Sequence, residues 1–226
     1  MINYLAEKNK HPRDKNILFF EKGHKYIVNG KTDFKSVTTW VHSLFEKFDA
    51  DKIINNMRNS KSWNQNKYNG LSNLEIKKLW NNNKDNAALD GTKLHYDIEC
   101  LYNNIEVQND SIEFNYFLNF KKDFSCLIPF RTEMLIYDEE LKLSGSVDMI
   151  FKKEDGNFEI YDWKRFKQIN KTSTYNKWIM SEAVGHIPDS NYWHYALQLN
   201  IYKYILNKNY NMLITSLYII VLHPDN

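Results

Sequence analysis

The residues of this chain best suited to chemistry lie in the stretch LSGSVDMIFKKEDGNFEIYDWK, residues 143–164. Asp148 interrupts one apolar run, and Asp162 and Lys164 close a second. The polar residues between the runs include Asp155-Gly156, a pair that favours the positive φ angles of a hairpin turn. The stretch therefore predicts two neighbouring strands that carry two carboxylates and an ammonium.

Side chains alternate across a strand, so the faces on which these groups lie are predictable. The shared faces are expected to carry Ser146, Asp148 and Ile150 on the first strand, and Phe158, Ile160, Asp162 and Lys164 on the second. Charged groups among apolar side chains are costly to desolvate, and a divalent cation would compensate two carboxylates. A surface ion pair at a strand end is the alternative interpretation, because exposed Asp and Lys are common.

The remaining elements are predicted from periodicity, caps and turn residues. A hairpin is expected near Leu18–Val28, turned at Lys22-Gly23 or at Asn29-Gly30. Four single helices are predicted, namely Ser36–Phe45 with Ser36 as its N-cap, Thr92–Tyr102, Ser111–Phe124 and Asn191–Leu206. The region Asp49–Asn83 is predicted to hold further helices, separated by the polar stretch 60–70. The predicted strands are Phe130–Tyr137, Leu141–Phe151, Phe158–Lys164 and Ser216–Leu222. This order of helices, a three-strand meander, a helix and a final strand predicts an α/β fold with a mixed sheet flanked by helices.

Two predicted helices place polar groups among apolar ones. In the helix near Thr92, one side is expected to carry Leu94, His95, Ile98, Glu99 and Tyr102, and the other Lys93, Asp97 and Cys100. In the late helix, Gln198 and Tyr202 share a stripe with Ile201 and Ile205. A lone inward histidine is commonly a packing residue, and an inward glutamine can bind a strand backbone. The helical patterns alone leave both alternatives open.

The order of these residues resembles the RecB-like branch of the PD-(D/E)XK nuclease superfamily over residues 34–223. The matching pieces are Ser36-Val37-Thr38, Gly91-Thr92-Lys93-Leu94-His95 with Glu99, Gly145 to Asp148, Asp162-Trp163-Lys164, and Gln198 to Tyr202. The resemblance implies a restriction-endonuclease-like core and a single domain, residues 1–226. Residues 1–90 would form a hairpin and a helical N-terminal part, and residues 91–223 the catalytic core.

The resemblance also implies metal-assisted phosphodiester hydrolysis with one or two Mg²⁺ or Mn²⁺ ions. The implied ligands are His95, Asp148, Asp162 and the backbone carbonyl of Trp163, with Glu99 as an additional candidate, either through water or as the partner that orients His95. Lys164 would orient the attacking water or stabilise charge on the phosphate, and Gln198 and Tyr202 would help to place the phosphate. The expected products carry 5′-phosphate and 3′-hydroxyl ends.

The expected DNA contacts come from two places. A segment without acidic residues follows the Asp-x-Lys motif and carries Arg165, Lys167, Lys171, Lys177 and Trp178, together with Phe166 and Tyr175. Cations bind phosphates and rings stack on unpaired bases, although a solvated lysine-rich loop is an equal alternative. Ser36 and Thr38, at a predicted helix N-terminus, would bind a neighbouring phosphate.

Composition limits the other possibilities. A net charge of +2 does not favour a basic coating protein, so positive charge is expected to act locally. Two cysteines cannot ligate the iron-sulfur cluster of related four-cysteine nucleases. So few cysteines indicate an intracellular, reducing compartment, which for a viral protein would be that of the host cell. The N-terminal residues lack the features of a signal peptide, and the apolar run 217–222 is too short to span a membrane.

Three functions remain open from the sequence. The leading one is a DNA exonuclease acting on single strands or duplex ends, the second an endonuclease of the same superfamily, and the third a noncatalytic DNA-binding protein with a nuclease fold. The intact Asp148, Asp162 and Lys164 argue against the third. A helicase or recombination protein is an expected partner, and the chain is also compatible with being part of a longer protein.

Overall fold

The computed structural model describes residues 4–173 and 175–226. The helices are α1 (Tyr4–Lys8), α2 (Val37–His42), α3 (Ala50–Arg58), α4 (Asn73–Tyr102), α5 (Ile112–Asp123) and α6 (Asn191–Asn209). The strands are β1 (Ile17–Phe20), β2 (Lys25–Val28), β3 (Lys35–Ser36), β4 (Ile128–Asp138), β5 (Leu143–Lys152), β6 (Phe158–Lys164) and β7 (Ile214–Val221). Short 3-10 helices occur at Asp14–Asn16, Trp63–Gln65 and Glu182–Val184.

The main sheet has five strands and is mixed. β4 pairs antiparallel with β5 along one side. On its other side β5 pairs first with β3, in parallel at Leu143 and Ser144, and then with β6, antiparallel from Met149 to Lys152. β7 completes the sheet in parallel with β6. The predicted meander followed by a helix and a final strand is therefore present, and β1 and β2 form a separate hairpin.

The sheet separates two apolar cores. On one side α2 and α6 pack against it through residues that include Val41, Leu199, Ile205, Ile150 and Ile160. On the other side α4 and α5 pack through residues that include Leu94, Ile98, Phe117, Phe151 and Trp163. Burial on both sides explains the nearly continuous apolar runs of β5 and β6. The predicted fold class, a mixed α/β sheet flanked by helices, is confirmed.

Both hairpin turns occur where their turn residues predict them. Gly156 has a φ of +86° between β5 and β6, where its amide donates to the Lys153 carbonyl oxygen at 3.0 Å. Of the two alternatives for the N-terminal hairpin, Lys22-Gly23 is the one that connects β1 and β2, and Gly23 has a φ of +87°. Asn29-Gly30 forms a second turn after β2.

Two predictions for α4 are wrong. The helix expected to begin near Thr92 begins at Asn73, where Ser72 and Glu75 form a capping box, and it continues without a break through residue 90. Asp97 and Cys100, expected on the outer side, are 8% and 3% exposed. The reason is that residues beyond the helix cover that side as well, and Asn109 donates to Asp97 Oδ2 at 2.6 Å.

Two further features bear on the classes considered from composition. Cys100 is buried, Cys126 is exposed, and both are free thiols. Among the helices of the described residues, none combines the length and apolar character that crossing a membrane requires.

Candidate functional site

The two motif aspartates lie where β5 and β6 separate. The pairing of β5 with β6 ends at Met149 and Tyr161, so Asp148 and Asp162 lie just beyond it. β6 continues to pair with β7 as far as Lys164. The backbone amide of Trp163 donates to Asp148 Oδ2 at 3.0 Å. The separation of the strands thus leaves room for polar side chains inside an otherwise apolar sheet.

One ammonium contacts both carboxylates at this point. Lys164 Nζ lies 2.7 Å from Asp162 Oδ2 and 3.8 Å from Asp148 Oδ2, and the Asp162 side chain is 1% exposed. Burial raises the pKa of Asp162, and the opposing charge of Lys164 only partly offsets it. Burial lowers the pKa of Lys164, but the carboxylates of Asp162 and Asp148 outweigh this effect and raise it overall. Lys164 therefore stays charged although its side chain is only 15% exposed.

The opposite oxygen of Asp162 faces α6. Gln198 Nε2 donates to Asp162 Oδ1 at 3.4 Å, and Gln198 Oε1 accepts from the Thr38 hydroxyl at 3.1 Å. Gln198 is 8% exposed. Its amide thus connects α2 to the end of β6, and the inward glutamine has side-chain partners rather than a strand backbone.

His95 approaches the same point from α4. Its Nε2 lies 2.8 Å from the carbonyl oxygen of Trp163, which can only accept, so Nε2 carries the proton. Its Nδ1 lies 3.5 Å from Asp148 Oδ2 and 3.8 Å from Glu133 Oε1. When the ring is neutral, the Nδ1 lone pair therefore faces two carboxylates.

The cluster formed by His95, Glu133 and Asp148 has the donor chemistry of a cation site. One ligand atom from each of the three lies within 4.8 Å of the others. Burial lowers the pKa of His95, but the carboxylates of Asp148 and Glu133 outweigh it and raise the pKa to about 9. The two carboxylates thus favour a positive charge between them, which in the metal-free protein is a proton on His95. An imidazole with two carboxylates is a donor set for a divalent cation.

Glu133 is directed into the cluster by an irregularity in β4. The pairs Thr132–Met149 and Met134–Val147 surround it, so its place in the register is opposite Asp148, yet it is unpaired and has a φ of +42°. A non-glycine residue in this region is uncommon, and such residues are frequent at functional sites. Ser146 donates to Glu133 Oε2 at 2.7 Å and fixes the carboxylate.

The chain has little similarity to known proteins. No protein-family model matches the chain, and no similar protein is found among curated sequences. One similar solved structure is a repair endonuclease from Pyrococcus abyssi, with 16% sequence identity and a TM-score of 0.29. The match covers 53% of this chain and 50% of that chain, so it spans only about half of each protein.

Three of the predicted metal ligands lie outside the three-donor cluster. Asp162 is directed toward Lys164 and Gln198, and the Trp163 carbonyl oxygen accepts from His95. Glu99 is half-buried on α4, where burial, followed by the nearby charge of Glu133, raises its pKa to about 7. Their roles as ligands stay predictions.

The alternation expected for β5 does not hold across Asp148. Val147 and Ile150 both pack in the core beneath α6, whereas Met149 packs in the core beneath α4. A strictly alternating strand would place Val147 and Met149 on the same side. The break coincides with the unpaired Glu133 on β4, so Ser146, Asp148 and Ile150 do not form the regular face predicted.

The predicted DNA contacts are only partly gathered near the site. Ser36 is the N-cap of α2, and its hydroxyl accepts from the Thr39 amide at 3.1 Å and donates to Thr39 Oγ1 at 2.8 Å. Thr38 donates to Gln198 and so lies beside Asp162. The cationic members and Trp178 have other partners: Arg165 pairs with Glu113 and Asp90, Lys167 with Asp225, Lys177 with Glu46, Lys171 lies above the Tyr192 ring, and Trp178 forms a bridge to Pro188. A DNA-binding role for these residues stays a prediction, and Arg165 in particular connects α4 and α5 to β6.

Sequence reasoning did not assign Glu133 to the site, and it missed Tyr195 as a neighbour of Lys164. Lys164 Nζ lies 5.1 Å from the centre of the Tyr195 ring, and burial raises the pKa of Tyr195 to about 12. The sequence marks Glu133 as an acid within the apolar run TEMLIY of a predicted strand, but it does not show that this acid lies opposite Asp148. No signal marked Tyr195, one aromatic residue among many.

Proposed function

We propose that the chain is a metal-dependent nuclease that hydrolyses phosphodiester bonds in DNA, acting as an exonuclease. The observation that carries this proposal is the contact of Lys164 with both Asp148 and Asp162, directly beside the cluster of His95, Glu133 and Asp148. Residues from α4, β4, β5 and β6 converge there. An unrelated surface ion pair does not explain a 1% exposed carboxylate in contact with a charged lysine.

Each side chain has a definite part in the proposed reaction. His95 Nδ1, Glu133 and Asp148 would hold the cation, with Asp162 as the further carboxylate that the resemblance implies. A bound Mg²⁺ or Mn²⁺ would polarise the scissile phosphate and lower the pKa of an attacking water. Lys164, kept charged by its two carboxylates, would donate hydrogen bonds to that water or to a phosphate oxygen as negative charge grows.

The positioning residues lie behind these groups. The Trp163 carbonyl oxygen orients the His95 ring, and Gln198 together with Thr38 orients Asp162. In the reaction, the attacking water would give up a proton to solvent as its oxygen bonds to phosphorus, the bond to O3′ would break, and the departing O3′ would take up a proton. The products would carry 5′-phosphate and 3′-hydroxyl ends.

The exonucleolytic mode rests on the resemblance to the RecB-like branch, and one assay separates it from the alternatives. Purified protein is incubated with linear single-stranded, linear duplex and circular DNA, labelled at either end, in Mg²⁺, Mn²⁺ or EDTA. Metal-dependent loss of linear DNA alone, beginning at one labelled end, is the expected result. Cutting of circles would indicate an endonuclease. Tight binding without cleavage under any condition would contradict catalysis.

Lys164→Met tests the central side chain within the same assay. Because this lysine stabilises charge that develops during reaction, the variant should lose about 10²–10³-fold in turnover. The matched control is Lys10→Met, since Lys10 is exposed, pairs with Glu7 and has no part in the proposed site. A folded Lys164→Met protein with wild-type turnover would overturn the role proposed for this residue.

A further inference from the structure

A large cleft beside the candidate site is lined by aromatic side chains. Its volume is about 1140 Å³, whereas small-molecule pockets measure roughly 300–1,000 Å³. One wall carries Phe48 and Tyr68, from the segments between α2 and α4, and Trp80 of α4. The other carries Phe166, Tyr175 and Tyr195, from the segment after β6 and the start of α6. The size and composition suit a polymer with flat groups along it.

The inner rings pack in pairs, and two rings at the rim are largely exposed. Trp80 Nε1 donates to the Tyr68 hydroxyl at 2.9 Å, and the Phe166 and Tyr195 rings pack edge to face at 5.8 Å. At the rim, Phe48 is 71% exposed and Tyr175 is 72% exposed. Large aromatic groups exposed on both sides of one cleft mark a binding surface, because water contact with them is unfavourable.

The cleft leads to the catalytic residues proposed above. Tyr195 lines the cleft, and its ring centre lies 5.1 Å from Lys164 Nζ. Lys164 in turn contacts Asp162 at 2.7 Å. A chain bound along the rings would therefore pass next to the carboxylates and ammonium that carry the proposed hydrolysis.

The charges along the cleft are balanced. Its described lining has two lysines, Lys47 and Lys177, and two acids, Glu46 and Asp189, and Lys177 pairs with Glu46 at 2.8 Å. Net attraction of phosphates therefore contributes little, and affinity must come mainly from the rings. Uncharged side chains such as Asn83, Asn170 and Thr172 also line the cleft, and they can form hydrogen bonds to the backbone of a bound strand.

We infer that this cleft binds a single-stranded polynucleotide and delivers it to the candidate site. The bases of a duplex stack on each other, so only unpaired bases offer their faces to aromatic side chains. The inference rests on the proposed function for what happens to the strand after binding. It assigns Phe48, Tyr68, Trp80 and Tyr175, none of which belongs to the hydrolytic cluster, to substrate binding.

The test measures binding in EDTA, where hydrolysis does not interfere. Fluorescent oligo-dT and oligo-rU of equal length, and a blunt hairpin duplex, are titrated with wild type, with the double variant Phe48→Ala/Tyr175→Ala, and with Tyr204→Ala. Tyr204 is the matched control, an aromatic residue 49% exposed on α6 outside this cleft. The double variant should bind the single strands about tenfold or more weakly. The control should be unchanged, and affinity should depend only weakly on salt.

Two results would overturn the inference, namely duplex binding as tight as single-strand binding, or equal single-strand affinity of the double variant and wild type. These results differ from failure of the proposed nuclease. A protein that cleaves DNA while the double variant binds normally contradicts the cleft alone. A protein whose single-strand binding depends on the rings, but which never cleaves, supports the cleft and contradicts the nuclease. The preferred oligonucleotide distinguishes DNA from RNA.

Discussion

At the scale of single residues, Gly145 shows how the site and the core depend on each other. A Cβ at this position would lie 2.6 Å from Tyr202 Cε1 and 3.0 Å from its hydroxyl oxygen. Tyr202 is 3% exposed, and burial, followed by the nearby Tyr26, Asp148 and Asp162, raises its pKa well above the usual value. The motif glycine is thus required by the close approach of α6 to β5.

Gly145→Ala should lower the free energy of unfolding by about 1–3 kcal/mol, because a buried ring has little room to move. Gly91→Ala is the matched control, since no atom lies within 4 Å of a Cβ there and the residue is inside α4. It should stabilise the protein by about 0.5–1 kcal/mol through helix propensity. Urea unfolding of both variants checks the pair, and equal effects would contradict the packing described here.

Glu99 provides a prediction about pH. Burial and the charge of Glu133 raise its folded pKa to about 7, above the value of about 4.3 for an unfolded chain. The folded state therefore holds this proton more tightly, so the contribution of Glu99 to stability falls as pH rises from about 4.5 to 7 and is constant above that. Glu99→Gln removes this dependence.

Urea unfolding of Glu99→Gln and wild type in EDTA, between pH 4.5 and 8, measures the effect. As pH rises, the free energy of unfolding of the variant should increase relative to that of wild type by on the order of 1 kcal/mol. The increase is this small because the Glu99 side chain is half-exposed, so solvent screens its charge. At pH 4.5 both side chains are neutral in the folded state, and this pH serves as the internal control. A difference that does not change with pH would show that Glu99 is not desolvated.

The residues that could be predicted from sequence are those whose polarity conflicts with an apolar pattern. Asp148, Asp162, His95 and Gln198 all stood out in this way, and the structure brings all four together. Glu133 could not be assigned to the cluster, because its place opposite Asp148 depends on the register of β4 and on a left-handed backbone. Neither is encoded in local periodicity.

At the scale of elements, α4 shows where sequence patterns fail. Residues 81–90 are all exposed, so this part of the helix has no apolar stripe from which a helical period can be recognised in the sequence. The helix nevertheless continues, because it is capped at Ser72 and packed at both ends by Ile76 and by Leu94 and Ile98. β5 and β6, in contrast, are predictable, since they are buried on both sides and bounded by turn residues, whereas the two-residue β3 was not predicted.

Arg165 connects three elements and gives a prediction at this scale. Its Nε donates to Glu113 Oε1 of α5 at 2.6 Å, and its guanidinium lies 3.2 Å from Asp90 of α4. Arg165→Ala would leave Glu113, which is 8% exposed, without its cation. Unfolding free energy should fall by about 3 kcal/mol, because an unpaired buried charge is costly.

The controls for Arg165 separate a structural role from DNA binding. Lys167→Ala breaks only an exposed pair with Asp225 and should cost less than about 1 kcal/mol. The double variant Arg165→Met/Glu113→Met removes both charges and should regain most of the stability. If Arg165→Ala instead weakens DNA binding and leaves unfolding unchanged, Arg165 is a DNA contact as the sequence predicted.

At the scale of the whole molecule, the site joins the two layers of the fold. His95 comes from the layer of α4, Gln198 from the layer of α6, and the carboxylates from the sheet between them. A cation bound by His95, Glu133 and Asp148 would therefore connect a helix to two strands. Binding to the folded state alone adds to stability by mass action.

Mn²⁺ should raise the melting temperature of the wild type. At a concentration a hundredfold above the dissociation constant, the free energy of unfolding should increase by about 2.7 kcal/mol. Asp148→Asn and His95→Ala should abolish this increase, since each removes one of the three donors. Asp225→Asn is the control, an acid exposed away from the site. Thermal unfolding with Mn²⁺ and with EDTA measures this increase in melting temperature. If Asp148→Asn shows the same increase as wild type, the metal binds elsewhere.

The most direct measurement is the rate of DNA hydrolysis by wild type and Asp148→Asn as Mg²⁺ or Mn²⁺ is titrated. Asp148 contacts Lys164, His95 and the Trp163 amide, so it connects every part of the proposed site. We predict saturable metal-dependent cleavage by wild type that EDTA abolishes, and loss of cleavage in a folded Asp148→Asn protein. Equal cleavage by both proteins, or cleavage that persists in EDTA, would contradict metal-dependent hydrolysis at this site.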